Sequence, residues 1–274
     1  MWVCGVRGST PAPGPDFVRY GGNTSCVALA HDGEPPSLVL DAGTGLSRAG
    51  ALLQGGPYIG AILLGHLHWD HTQGLPFSPA FDRPDAEVTL YLPSQGDPVD
   101  VLSRAMSPPH FPILPTALRG TWRFTALEPG TTKIEGFEVL ALDIPHKGGR
   151  TFGYRITDPG GRTLAYLSDH WPISLGPGPD GLGEYHPAVL ELCAGADLIL
   201  HDAQYTAAEL PARADFGHSA IEYAVVLAER CGSSLLLYHH APTRTDDELD
   251  ELVRPFAGRT SAVRAAAEGM IVDL

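Results

Sequence analysis

Four side chains able to hold a metal ion fall within the six residues His66-Leu67-His68-Trp69-Asp70-His71, directly after an apolar run at 59–64. If that run is a strand, the four sit on one tight loop at its C-terminal end. His66 and His68 can then approach one cation from the same side while Asp70 and His71 point to a second position, and imidazole with carboxylate suits Zn2+ or Mn2+. A solvated polar turn is the alternative, and it gives no reason for such density. Elsewhere two histidines, His239 and His240, stand side by side after the apolar run 234–238. Spacing does not choose between the two, because neighbours in extended chain face opposite ways.

Positioning these residues requires strands, and the sequence supplies them. Short β-rich runs bounded by Gly, Pro or Asp occur at 26–30, 37–40, 59–64, 87–92, 122–127, 137–144, 152–157 and 163–167, and they read as a mostly antiparallel meander. Runs at 197–200 and 234–238 alternate with helical segments, so the pattern turns to βαβ toward the C-terminus and the fold class is α/β, of α+β type. Two capping boxes mark helix starts, Ser219 with Glu222 and Thr245 with Glu248. The first of these helices runs to Gly232, and another is expected at 45–54. The Pro-rich stretch 94–115 lacks periodicity and reads as an irregular excursion or lid, with a plain surface loop as the simpler alternative. No linker-like shift in composition divides the chain, so residues 1–274 are expected to form one domain.

Composition narrows the function classes. With 43% hydrophobic and 18% charged residues, the chain should bury a sizeable core rather than remain disordered. No apolar run approaches the roughly 20 residues that cross a bilayer. Nor does a basic segment followed by an apolar stretch open the sequence, so a cytoplasmic location is expected. Cys4, Cys26, Cys193 and Cys231 form no CxxC pair, which argues for free thiols rather than a thiolate zinc site or a disulfide framework. The net charge of −14 weighs against a long polyanionic partner, although a small anion held by local chemistry is compatible with it. His31, His110 and His186 lie in loop-like sequence and read as surface residues.

Taken in order, the His-x-His-x-Asp-His segment, Asp41, His146, Asp169 and His239 resemble the metallo-β-lactamase superfamily over essentially the whole chain. The resemblance implies a four-layer αββα sandwich with a dinuclear metal site between the sheets. Carried onto this sequence, one ion would take His66, His68 and His146, the other Asp70, His71 and His239, with Asp169 bridging them. His239 is preferred to His240 by this alignment alone. The two divalent ions, zinc by ligand type with manganese or iron fitting nearly as well, would share a bridging hydroxide as nucleophile. Asp41 resembles the family's carboxylate that braces the metal loop, with closure of a Gly-rich turn as its competing role. His170 stands where a small residue is commoner and is read as non-ligating.

The stretches Gly5-Val6-Arg7-Gly8-Ser9-Thr10-Pro11 and Tyr20-Gly21-Gly22-Asn23-Thr24-Ser25-Cys26 resemble the branch containing tRNase Z, the carbon-phosphorus lyase phosphodiesterase and bacterial cyclic-nucleotide phosphodiesterases. Leu200-His201-Asp202-Ala203 is similar to that branch's His-Glu-Ala-Thr segment and Gly217-His218-Ser219 to its His-Ser-Thr segment, where an acid and a histidine handle a proton. His218 would precede a Ser219 N-cap, so the positive end of a helix would face an anion. Asp202 would orient His218 as general acid for a departing alkoxide. Ordinary turn and helix-start roles compete for both residues. Asp70, His218 and Asp202 are the catalytic candidates, and a phosphodiesterase acting on a small or cyclic phosphodiester is the leading expectation.

Two departures from the branch bear on the substrate. The interval between His146 and Asp169 has no room for the long basic arm by which tRNase Z grasps tRNA, and the extra cysteine-rich zinc site of the carbon-phosphorus lyase phosphodiesterase is lacking. A thioester or lactone hydrolase of the same fold and a non-catalytic, metal-dependent nucleotide-binding module are the competing readings. Trp69 or Trp171 could stack on a base. Because relatives often pair, a homodimer is also expected.

Overall fold

In the computed structural model, which describes residues 1–258 and 262–274, the apolar runs form two sheets in which every strand lies beside its neighbour in sequence. The first holds β1 (Trp2–Gly5), β2 (Cys26–Leu29), β3 (Leu38–Leu40), β4 (Ile59–Leu63), β5 (Glu87–Pro93) and β6 (Thr121–Leu127). Helices α1 (Leu46–Ala51), α2 (Trp69–Thr72) and α3 (Pro98–Ser103) fill the last three of its connections. The second sheet holds β7 (Gly130–Ile134), β8 (Phe137–Asp143), β9 (Phe152–Thr157), β10 (Thr163–Leu167), β11 (Leu198–Asp202), β12 (Ser234–Tyr238) and β13 (Val263–Ala265). Its last three connections carry α4 (Pro187–Cys193), α5 (Ile221–Cys231) and α6 (Asp246–Val253).

The antiparallel meander read from the sequence fails for the later strands of the first sheet, whereas the turn to βαβ expected for the runs at 197–200 and 234–238 is present. Strands β1 to β3 and β7 to β10 pair antiparallel, but β3 to β6 and β10 to β13 pair parallel. The cause lies in the connections: a tight hairpin reverses the chain, whereas a long link containing a helix returns it to the starting end of the sheet. Parallel strands release their following loops on one edge, which gathers the loops after β3, β4, β10, β11 and β12.

Alternation within the strands builds the layers. Leu38 and Leu40 face the second sheet while Val39 packs toward α1; Leu236 and Tyr238 face the first sheet while Leu235 and Leu237 pack toward α5. Three apolar layers result, one between the sheets and one under each helix set, giving the αββα sandwich. Each fully buried Leu or Val contributes roughly 1.5–3 kcal/mol relative to exposure. Among the described residues no helix is long and apolar enough to cross a membrane, and all four cysteines are free thiols.

Local motifs fared unequally. Thr245 caps α6 in a complete box with Glu248. The box expected at Ser219 is not formed: α5 begins at Ile221 with Ala220 as its N-cap, and Ser219 lies in an extended segment bridged to Tyr205. The Ser219 carbonyl accepts from the Tyr205 amide, the Ile221 amide donates to the Tyr205 carbonyl, and the Glu222 carboxylate takes the Ala207 amide. A tertiary strand contact thus replaces the local cap and takes the first amide of the helix, that of Ile221. The stretch 94–115 is less irregular than read, since it contains α3, capped by Asp97. Replacing Thr245 by Ala should cost about 1 kcal/mol of stability, read as a lower urea midpoint at unchanged slope; an unshifted midpoint would show that the box contributes nothing.

Candidate metal centre

The loops gathered at the shared sheet edge bring the candidate ligands together. His66 and His68 follow β4, and His68 is the N-cap of α2. The single turn of that helix turns Asp70 and His71 inward and leaves Trp69 74% exposed. His146 follows β8, Asp169 follows β10 and His239 follows β12. Ring nitrogens of His66, His68 and His146 lie within 4.8 Å of one another, and so do the candidate ligand atoms of Asp70, His71, Asp169 and His239.

Asp169 sits between the two groups. Its Oδ1 is 4.0 Å from His66 Nε2, 3.7 Å from His146 Nε2 and 3.4 Å from His239 Nε2, while Oδ2 is 3.0 Å from His71 Nε2. Asp70 Oδ2 lies 3.1 Å from His239 Nε2 and 3.3 Å from His71 Nε2. Both nitrogens of His66, His71 Nε2 and Asp169 Oδ2 are buried without a hydrogen-bond partner. Buried polar atoms are normally satisfied, so unmet ligand atoms of His66, His71 and Asp169 within these groups fit cations held there.

The two groups differ electrostatically. Burial pushes the imidazoles of His66 and His68 below their usual range and that of His146 down to about 4, which favours the neutral, ligating form. Burial acts the same way on His71 and His239, but the carboxylates around them win and raise both. Burial would raise Asp70, yet His71 and His239 hold it well below the usual carboxylate range.

Partners outside the groups fix the rings. Asp41, fully buried, accepts from His71 Nδ1, the Gly65 amide and the Tyr166 hydroxyl, each at 2.7 Å. Its carboxylate therefore joins the metal loop to both sheets and leaves His71 Nε2 facing inward. His146 Nδ1 donates to the Gly217 carbonyl at 2.7 Å, which aims its Nε2 the same way. The pair His239 and His240 is divided by a left-handed backbone at His239 (φ 56°): His240 Nε2 turns away to the Ala266 carbonyl at 2.9 Å. His170 Nδ1 is 3.0 Å from His201 Nε2.

Beside the two groups, His218 Nδ1 donates to Asp202 Oδ2 at 2.9 Å, so the shorter Asp side chain does reach the imidazole. Asp202 also accepts from the His170 and Gln204 amides at 3.0 and 3.1 Å, which fixes the carboxylate. The His218 ring stacks on that of His239 with centroids 5.0 Å apart.

Several structural residues escaped the reading of single side chains. The Ser9 amide donates to Asp70 Oδ2 at 2.7 Å. Arg7, fully buried, reaches the carbonyls of Gly21 and Arg244 at 2.7 and 2.6 Å and ties the N-terminal loop to the loop after His240. Gly8 packs so tightly that a Cβ there would lie 2.4 Å from both His239 Nδ1 and Gln204 Oε1. Only the resemblance of the Gly5 to Pro11 motif pointed to this wall. Of the histidines read as surface residues, His110 is exposed, whereas His31 is half-buried on the Phe137 ring and His186 is half-buried. Trp171 donates its indole N–H to the Ala214 carbonyl at 2.6 Å. Trp69 and His110 border an apolar cavity of about 330 Å³ on the outward side of α2, which none of the clustered ligand candidates lines.

The profile of the Beta-lactamase superfamily domain matches residues 37–241, a span that runs from before Asp41 to beyond His240. The uncharacterized protein Rv1339 of Mycobacterium tuberculosis is 31% identical over 271 residues, covering 95% of this chain and 88% of that protein. A ribonuclease Z of Halobacterium salinarum is 23% identical, covering 90% of this chain and 87% of that one. Among solved structures, a diphosphatase from the PhnP family shares the fold with a TM-score of 0.69 at 18% identity, covering 100% of this chain and 96% of its own.

Asp41→Asn tolerates the same backbone but loses an acceptor, and it should lower divalent-metal affinity by about 10- to 100-fold in a chelator competition while the circular dichroism spectrum is retained; unchanged affinity would remove Asp41 from the support of the loop. Gly8→Ala forces apart the His239 and Gln204 side chains, and purified protein should carry clearly less metal than wild type in elemental analysis. Equal metal content would show that the wall yields freely.

Proposed function

Because this chain belongs to the beta-lactamase superfamily, we propose that it is a dinuclear metal-dependent phosphodiesterase acting on a small or cyclic phosphodiester. His66, His68 and His146 would hold one divalent cation, Asp70, His71 and His239 the other, and Asp169 would be shared. Imidazole with carboxylate suits zinc, and manganese or iron would be accepted by the same donors. Such cations supply Lewis-acid activation of water and neutralise charge on the phosphoryl oxygens.

The observation that carries the choice of a phosphodiester is the His218–Asp202 pair, hydrogen-bonded at 2.9 Å beside both ligand groups. With Nδ1–H committed to Asp202, His218 has Nε2 left to hold a proton toward the substrate. An alkoxide leaving a phosphodiester is a strong base and needs that proton, whereas a thiolate leaving a thioester scarcely does. Asp202 acts through His218: it sets the tautomer and holds the ring. Asp70, anchored by the Ser9 amide and flanked by His71 and His239, keeps its charge in the buried site.

A small substrate agrees with the surroundings. Between His146 and Asp169 the chain forms only the β9–β10 hairpin, and the net charge is −14. Neither offers a long polyanion an extended basic surface.

Hydrolysis of bis-p-nitrophenyl phosphate and of cyclic nucleotides, measured with defined metals, should exceed that of a His68→Ala control by at least about a hundredfold; parity with the control would overturn the reading. His218→Ala should slow diesters with an alkoxide leaving group by about 10²- to 10⁴-fold and those with p-nitrophenolate far less, because the latter leaves without help. Equal losses on both would deny His218 the role of acid, and preferential turnover of thioesters or lactones would favour a carbonyl substrate.

A further inference from the structure

We propose that Gln204 is a positioning residue of the metal centre: its side-chain oxygen takes the Nδ1 proton of His239 and so commits that ring's Nε2 to a cation. The assignment rests on the reading of His239 as a metal ligand.

Two buried atoms without partners carry it. His239 Nε2 lies 3.1 Å from Asp70 Oδ2 and 3.4 Å from Asp169 Oδ1, which makes it the nitrogen on the ligand side. A neutral imidazole that offers Nε2 to a cation carries its proton on Nδ1. That Nδ1 is buried and has no hydrogen-bond partner, although buried donors are normally satisfied. The side-chain oxygen of Gln204 is its complement, an acceptor that is also buried and also unpartnered. A Cβ on Gly8 would lie 2.4 Å from each, so the two atoms are at most twice that distance apart. Donor and acceptor lack only each other, and a small shift of the amide joins them.

The chain around Gln204 holds it for this contact. Its Nε2 donates to the Tyr205 hydroxyl at 3.0 Å, which leaves the oxygen as the free end of the amide. Its backbone amide donates to Asp202 Oδ1 at 3.1 Å, and the Ala203 amide donates to the Tyr238 carbonyl at 2.9 Å. The second of these bonds sets the segment beside the end of β12, where His239 follows. His239 itself has a left-handed backbone, φ 56°, which a residue other than glycine keeps only when its neighbours hold it. An acceptor on Nδ1 would fix the ring and make Nε2 the stronger donor. One short stretch after β11 then serves two ends: Asp202 holds His218, and Gln204 holds His239.

Wild type, Gln204→Leu and Gln204→Glu should be loaded with zinc as full chains. Chelator competition then gives their affinities, and proton–nitrogen correlation spectra report the histidine rings. Wild type is expected to show a downfield, hydrogen-bonded Nδ1 proton on His239. Gln204→Leu, which has no acceptor, should lose that signal and weaken one of two bound zinc ions by about 10- to 100-fold, with the other unchanged. Gln204→Glu, which keeps an oxygen there, should retain both the signal and the affinity. A merely space-filling side chain predicts the reverse order, with leucine tolerated and the buried carboxylate not. Equal zinc affinity in wild type and Gln204→Leu overturns the proposal, as does a wild-type Nδ1 proton without the downfield shift, which decides the matter even if neither variant folds. A single zinc ion in wild type, weakened in Gln204→Leu, upholds the proposal and overturns the dinuclear reading.

Discussion

Asp169 is a carboxylate only 1% exposed, with five imidazoles, those of His66, His71, His146, His218 and His239, within 4.0 Å of its oxygens. Burying an uncompensated carboxylate costs several kcal/mol, so its surroundings must return comparable electrostatic energy or the fold would not keep it ionised. Burial pushes its pKa up, yet His239, His71 and His66 together hold it well below the ordinary range. No single element could do this. The histidines around it come from both sheets, and the constraint that they meet dictates that both sheets present strand ends at one edge.

That requirement explains the half-parallel architecture better than propensity does. Crossovers through α1, α2, α4, α5 and α6 return the chain to the same end, so the loops after successive strands fall side by side. The N-terminal loop then closes the edge. A buried guanidinium, Arg7, binds the carbonyls of Gly21, Ala241 and Arg244 and lies 3.7 Å from Asp246, which locks the chain that follows His240. Asp41 does the equivalent work for the loop of His71. Rings held from behind in this way need no rearrangement to meet a cation, which is what preorganisation requires.

What could be read from the sequence was what is local. Four ligand-capable residues in six positions needed no tertiary information, and apolar runs bounded by Gly and Pro located most strands. Strand direction was legible where helical segments separate the runs, as at β11 and β12, but a run buried on both faces such as β4 looks the same whether its partner is parallel or antiparallel. The Ser219 box had the right letters, but the chain there is held extended beside Tyr205, fourteen residues earlier, and the Glu222 carboxylate is taken by the Ala207 amide. His239 and His240 were indistinguishable by spacing because the feature that separates them is a single left-handed backbone angle. Ser9 was invisible for another reason: it contributes a main-chain amide, and any residue type has one.

The overall charge and the local charge carry opposite meanings. At physiological ionic strength, charges separated by more than about 8 Å of solvent are largely screened. A net charge of −14 therefore discourages a long polyanion, which must lie against many surface carboxylates at once. A single phosphate entering the recess would meet mainly what lies within that distance, the imidazoles of four loops and the cations they are suited to hold. The overall acidity of the chain thus does not decide what this recess can hold; the groups within it do.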